Sequence, residues 1–411
     1  MQGVLILSCW ILGALQAATL ILIPEMMLRG QLSALQLAIP LSIGTFVFMY
    51  CSGQWGKILD KRLVANKPLT IIIRWVLVGF LASQLTFVSL LQFTSFYGVA
   101  LVITLCSSRL LHGIFCSAII PITQITLSRS DSKGEKLVWS SIAINVGRIT
   151  VPLLTFVPVQ IHYFSLWFIA TITFLALCVA CLNKEKNVSV SKQLDSVKPN
   201  KAKSNKDKPE LFTLFNNPLL LSICISALLI SLFSSQLQFS LGPLFLVKFA
   251  NAALASEVTA TLLFASSASA LTSLFILYRP LSRYPKVFLL VIAVSLIIGS
   301  TLFIMQQHLI IAVVLLSAAL SMGPVWYTAI AIHASEHNKA RASASVSQGH
   351  TLGNACGGLV GGGLLVFGQS FLLLSFGLFT TLILIAWGIV FYSSYNNSQA
   401  NNSRLLKINN T

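Results

Sequence analysis

Two arginines stand where charge is expensive. Arg109 and Arg148 each sit well inside an apolar run, at a depth of roughly 17 Å if each is about 11 residues into a helix rising 1.5 Å per residue. That is the middle of a bilayer, where an ionisable side chain faces a cavity or a partner rather than lipid. No acid lies at that level, because Glu25 and Glu257 fall near the ends of their apolar segments. A pair of guanidiniums without a local counter-charge suits an anionic ligand, since the guanidinium fork grips carboxylate or phosphate with two hydrogen bonds. The competing reading is structural: Arg109 bonded to backbone carbonyls of a neighbouring helix, and Arg148 snorkelling or joined to Glu257 through water.

Other polar residues gather around the same depth. His112 is one turn from Arg109 on the same helix face. Gln16, Asn145 and Asn354 lie level with the arginines, His350 is one turn from Asn354, Gln236 and Gln238 lie higher, and Tyr327 lies lower beside Trp326. Together they could complete a polar site; singly, each suits an interhelical hydrogen bond. Proton coupling needs a titratable group that changes access, and Glu25, Glu257 and His112 are the candidates. Glu25 and Glu257 suit equally well the part of outer-rim residues that stay ionised.

The elements that must position these residues are membrane helices. The chain has 411 residues, of which 56% are hydrophobic and only 9% charged, a balance no soluble domain of this size shows. The apolar residues fall in runs near the length that spans a bilayer as a helix, whereas a β-barrel would show short alternating strands. The net charge of +17 lies in the loops between runs, so it reports topology and not a nucleic-acid footprint. The eight cysteines all lie inside apolar segments and suggest neither a disulfide framework nor a metal site. No cofactor or metal is expected. The first apolar run is longer than a signal-peptide core and reads as a retained span.

Taken in order, spans are expected over residues 3–28, 34–55, 69–92, 98–127, 137–159 and 164–182. A Lys-, Ser- and Asn-rich stretch, 183–211, reads as a disordered cytoplasmic linker. Spans follow over residues 218–243, 252–278, 287–306, 309–333, 342–367 and 371–395, with a polar tail at 396–411. The division is therefore an N-terminal bundle (1–182), the linker, a C-terminal bundle (212–395) and a cytoplasmic tail. Nearly all Lys and Arg fall on one side, with only Arg29 and Lys248 on the other, so both termini are expected inside. Val146-Gly147-Arg148 and Leu352-Gly353-Asn354 stand at matching places in the two halves, as in internally repeated transporters. The third, sixth, ninth and twelfth spans carry no charge in their apolar stretches except Arg74 near the inner end of the third. The eleventh carries Gly353, Gly357, Gly358, Gly361, Gly362 and Gly363, a face for close packing.

Between the second and third spans runs Gly56-Lys57-Ile58-Leu59-Asp60-Lys61-Arg62, read as a short charged turn. Gly56 would let two helix ends approach, Asp60 would reach a neighbouring helix N-terminus, and Lys61 and Arg62 would mark the cytoplasmic side. This Gly-x-x-x-Asp-Lys/Arg pattern resembles the signature loop of the major facilitator superfamily, in which the loop latches two helices and controls the inward gate. The family usually has Gly where this chain has Leu63. Arg109-Leu-Leu-His112-Gly113 resembles the fourth-helix Arg-x-x-x-Gly motif, whose arginine is often tied to substrate or proton coupling in the family. The chain departs from the family's antiporters in the fifth span, where Gly147 and Pro152 stand without a Gly-Pro pair.

The resemblance covers the whole chain and implies an all-α polytopic membrane protein: twelve transmembrane helices in two pseudo-symmetric six-helix bundles around a central cavity. It implies a secondary transporter and not an enzyme, working by ion-gradient-driven alternating access as a monomer in a bacterial inner membrane, with H+ the expected coupling ion. Within the family the chain resembles bacterial efflux members, and among these the exporters of carboxylate siderophores of the vibrioferrin-exporter kind. The expected cargo is a small anionic metabolite exported by antiport. An importer of an organic anion or a multidrug efflux pump would share these features. A membrane enzyme would need paired acids or a histidine cluster, and a receptor would carry a soluble signalling domain; the sequence offers neither.

Overall fold

The computed structural model describes residues 1–65, 67–93, 95–128, 138–155, 163–182, 218–334 and 339–408. The expected linker at 183–211 and the basic loop with Arg129, Lys133 and Lys136 lie outside the described residues, and so does the Asp60 side chain.

The first half comprises α1 (Gln2–Ile21), α2 (Ile23–Gly30), α3 (Ala34–Val64), α4 (Thr70–Phe93), α5 (Gly98–Cys116), α6 (Ile119–Ser128), α7 (Val138–Thr155) and α8 (Phe164–Leu182). The second comprises α9 (Pro218–Phe249), α10 (Ala252–Thr272), a π-helical turn (Ser273–Leu277), α11 (Tyr278–Leu281), α12 (Pro285–Ile304), α13 (Leu309–Ala334), α14 (Lys339–Val366) and α15 (Gln369–Ile408).

Local sequence explains the breaks and starts. Pro24 has no amide hydrogen to continue the ladder of α1, so the helix yields at Leu22 and restarts as α2, which ends on Gln31 in the left-handed region (φ 50°). Ser33 and Gln36 then form a reciprocal capping box at the start of α3, with Gln36 Oε1 accepting from the Ser33 amide at 2.9 Å and Ser33 Oγ from the Gln36 amide at 3.2 Å. Asn251 caps α10 by accepting from the Leu254 amide at 3.1 Å. The expected fourth span is broken at Ser117–Ala118, just ahead of Pro121, and the expected eighth contains the π turn ahead of Pro280.

The pairing of helices repeats between halves. α1 packs on α7 as α9 packs on α14; α3 on α5 as α10 on α13; α4 on α8 as α12 on α15. The main crossings between the halves are α3 with α14 and α7 with α10, and α1 and α2 also touch α9 and α10. Ten of the described passes are long and apolar enough to cross a bilayer, and the two that are not are α7 and α14. The reason is their polar content, Asn145 and Arg148 on α7 and His350, Asn354 and the glycines on α14, which the bundle shelters against α1 and α9. α4, α8, α12 and α15 instead present exposed apolar side chains such as Trp75, Leu175, Leu290 and Leu378, as expected of lipid-facing helices.

The halves meet closely at the end carrying α2. There a Cβ on Gly362 of α14 would stand 2.9 Å from the Ala34 carbonyl oxygen, and one on Gly242 of α9 would stand 2.8 Å from Ile23 Cγ2. At the opposite end, Gly53 and Gly56 of α3 face open space. Two sequence expectations change here. Residues 56–64 are not a turn but the last turns of α3, and Gly56 makes no close approach to another helix. The helix carries through because Lys57 to Arg62 contain no residue that breaks it. α15 likewise runs on to Ile408, through most of the segment read as a polar tail.

Candidate functional site

The cavity between the halves measures ≈ 370 Å³ and is lined on one side by Gln16, Thr19, Arg109, His112 and Arg148 and on the other by Ser235, Gln238, Thr351 and Asn354. Among the described residues, no carboxylate lines it.

Glycine crossings place the two arginines. α3 meets α5 at Gly44 and Gly113: a Cβ on Gly113 would stand 2.6 Å from the Gly44 carbonyl oxygen, and one on Gly44 would stand 3.2 Å from Arg109 Cβ. Arg109 is thereby held against α3 and points to α1, where its Nη2 donates to Thr19 Oγ1 at 3.0 Å. Its guanidinium carbon lies 4.1 Å from the centre of the Phe87 ring, a cation–π contact. Its Nε is buried without a partner. α1 meets α7 at Gly13 and Gly147, which rest on the carbonyls of Ile144 and Trp10. Arg148 follows Gly147 directly and donates from Nε and Nη2 to Gln16 Oε1 at 3.1 and 2.8 Å.

The second half repeats this arrangement without the charge. Gly353 of α14 rests on the Leu228 carbonyl of α9, as Gly147 rests on that of Trp10. Asn354 then takes the place of Arg148, and its backbone carbonyl accepts from Ser235 Oγ at 2.9 Å. The cavity is therefore cationic on one wall and neutral on the other, with apolar surface from Leu12, Phe48, Phe239 and Leu263 between them.

The remaining expected residues divide. His112 lines the cavity, with its ring centre 5.6 Å from that of Phe80. Asn145 does not: its amide donates to the Ser141 carbonyl one turn back at 3.0 Å, so its hydrogen bonding is spent locally. Tyr327 is fully buried outside the cavity lining, bonded to His350. Gln236 is buried and donates to Ser375 Oγ at 2.6 Å, while Gln238 lines the cavity. Glu25 is remote from the central cavity: it sits in a separate cleft at the end carrying α2 with Arg29 and Tyr163. Arg29 donates to the Tyr163 hydroxyl at 3.1 Å, and Glu25 accepts from it. Burial raises the Tyr163 pKa, the Arg29 bond lowers it, and the Glu25 carboxylate raises it. Glu257 is exposed on α10 and lines neither space. Lys61 and Arg62 lie on the last turns of α3.

Thr19 and Phe87, the partners of Arg109, were not anticipated. Thr19 stands three residues from Gln16 on α1, so helical spacing could have found it. Phe87 belongs to α4, and only the packing of α4 on α5 brings it near.

No family model and no curated protein matches the chain. Solved structures do. The nucleoside transporter NupG aligns with a TM-score of 0.67 at 16% identity, over 95% of this chain and 98% of its own. A bacterial homologue of the human lysosomal transporter Spinster, solved inward-facing and unoccupied, aligns at 0.65 and 13% identity over 96% of both chains. A D-xylose-proton symporter aligns at 0.69 and 15% identity, over 94% and 96%. The chain therefore has the fold of the major facilitator transporters, an all-α polytopic membrane fold.

Proposed function

We propose that this chain is a secondary active transporter that carries a small organic anion through the central cavity by alternating access. The observation that carries the reading is the pair of guanidiniums, Arg109 and Arg148, lining a cavity that, among the described residues, no carboxylate lines. Each is held by neutral partners, Thr19 and Gln16, which orient it without neutralising it. A bound carboxylate would supply the missing counter-charge, and charge-assisted bonds of this kind are worth about 1.5–3 kcal/mol each. The positive-inside distribution of Lys and Arg supports a multi-pass protein of a bacterial inner membrane with both termini cytoplasmic. On that orientation the end at which the halves meet lies on the outer side.

We favour export of a polyanionic carboxylate siderophore, by exchange for H+, through a monomeric carrier. Import of an organic anion is the second reading, favoured by the fold shared with a D-xylose-proton symporter, and the two differ only in direction of flux. The test is mass spectrometry of polycarboxylate siderophore in the medium of iron-starved cells with and without the gene. Export requires that the compound stay inside or vanish from the medium when the gene is lost, and that Arg109→Gln and Arg148→Gln reproduce the loss with protein still in the membrane. An unchanged medium rules out siderophore export.

A further inference from the structure

A second polar cluster lies beside the cavity, in the half that carries no cavity charge. His350 of α14 is held between two helices by hydroxyls. Its Nδ1 lies 2.5 Å from Ser231 Oγ of α9, and its Nε2 lies 3.0 Å from the hydroxyl of Tyr327 of α13. The Tyr327 ring is fully buried and stacks on the imidazole, with centres 5.8 Å apart and planes inclined by 22°. Gly349, the preceding residue, keeps α14 close to α9: a Cβ there would stand 2.9 Å from the Cys224 carbonyl oxygen.

The chemistry of the two partners matters more than their number. A neutral imidazole has one nitrogen that donates and one that accepts, whereas an imidazolium donates from both. A hydroxyl does either, by rotation. With a hydroxyl on each nitrogen, both nitrogens of His350 keep a partner whether the ring holds one proton or two. An ammonium in either place would hold the ring neutral, and a carbonyl would fix its tautomer.

The surroundings leave the site to this ring. Among the described residues, Tyr327 on α13 is the titratable group bonded to it, and Cys224 on α9 lies near Tyr327. The basic residues of α3 lie on its last turns, past Gly56, where that helix stands in open space. Among the described residues, neither α3 nor α15 brings a charged group against His350. The cavity is one turn away: Thr351 and Asn354 line it from α14, and Ser235 lines it one turn beyond Ser231 on α9.

We propose that His350, clamped between Ser231 and Tyr327, is a proton-binding site of the carrier, loaded and unloaded as the cavity changes access. The proton comes from cavity water to the imidazole nitrogen that lacks one, and the hydroxyl facing that nitrogen turns from donor to acceptor. Protonation places a third positive charge beside the cavity, on the wall that otherwise has none, which favours the anion held by Arg109 and Arg148, so that proton and anion move together as in the import reading rather than in exchange. This rests on the transporter reading, and two measurements separate the failure of one from the failure of the other.

In full-length protein labelled with nitrogen-15 histidine and held in lipid nanodiscs, the His350 signals are assigned by their loss in His350→Gln. They should pass from one protonated nitrogen to two between roughly pH 9 and pH 4, and Tyr327→Phe should move the midpoint by about half a pH unit or more. A ring that keeps one proton over the whole range overturns the proposal, with no cargo involved. In proteoliposomes loaded with citrate as the probe anion, a pH gradient should raise the native flux several-fold over the flux without a gradient, and this ratio should fall to about one in His350→Gln. A ratio in His350→Gln equal to the native one also overturns it. Absence of citrate flux in the native protein overturns the anion reading instead and leaves the titration to decide the role of His350.

Discussion

At the scale of single residues, function rests on how a guanidinium is held. Arg109 keeps one hydrogen bond, one aromatic face and an unpartnered Nε, and Arg148 shares one amide oxygen. Arg109→Gln and Arg148→Gln should each weaken binding of citrate tenfold or more, since about 1.4 kcal/mol is a factor of ten. Thr19→Val should cost less, a few-fold, because it removes one bond that orients Arg109 and leaves the charge in place. Equilibrium binding to purified protein checks both. The arginines were legible in the sequence because depth and the absence of neighbouring acids can be counted along the chain. Their partners were less so. Asn145 has the right depth and spacing, but its amide folds back on Ser141, and no rule of spacing distinguishes an amide that reaches across from one that turns to its own helix.

At the scale of elements, the site is built by crossings of small residues. Gly13 with Gly147, and Gly44 with Gly113, bring α1 onto α7 and α3 onto α5 at the level of the arginines. A leucine at Gly147 has nowhere to go, since a Cβ there already meets the α1 backbone. Gly147→Leu should therefore sharply lower the yield of folded protein and its thermal midpoint, while Gly53→Ala, facing open space, should keep stability or raise it by up to about 1 kcal/mol. Fluorescence-detected size-exclusion chromatography after graded heating reads both. The apolar runs made the helices legible, although residues 3–28 were read as one span where Pro24 divides it into α1 and α2. The charged stretch after Gly56 was read as a turn because charge was taken to mean a membrane exit, yet a helix of good formers keeps its hydrogen bonds in the headgroup region and continues to Val64. The mirror of Gly147 in Gly353 was visible as a weak repeat; that both rest on the carbonyls of the first helix of their own half was not.

At the scale of the molecule, the halves meet at the end carrying α2, and transport requires that this contact open. The contact offers a direct probe. A Cβ on Gly362 would lie 3.0 Å from that of Ala38 on the opposite half, close to the separation a disulfide bridges. In a background without the native cysteines, Ala38→Cys with Gly362→Cys should cross-link on oxidation and arrest anion flux, and reduction should restore it. Electrophoretic mobility and flux, read on the same proteoliposomes, check the pair. The number of passes was legible from hydropathy, although α7 and α14 owe their place to the bundle and not to their own apolarity. The end at which the halves meet was not legible, because both states of a rocking bundle use the same sequence.

The central claim is that the cavity recognises an anion through its two arginines. The most direct measurement is calorimetric titration of citrate into full-length protein in nanodiscs, for the native chain and for Arg109→Gln and Arg148→Gln, with D-xylose as the neutral counterpart. Saturable citrate binding, weakened about tenfold or more by each substitution and not displaced by D-xylose, is the predicted result. Binding of D-xylose with an affinity indifferent to both arginines, and none of citrate, would contradict it.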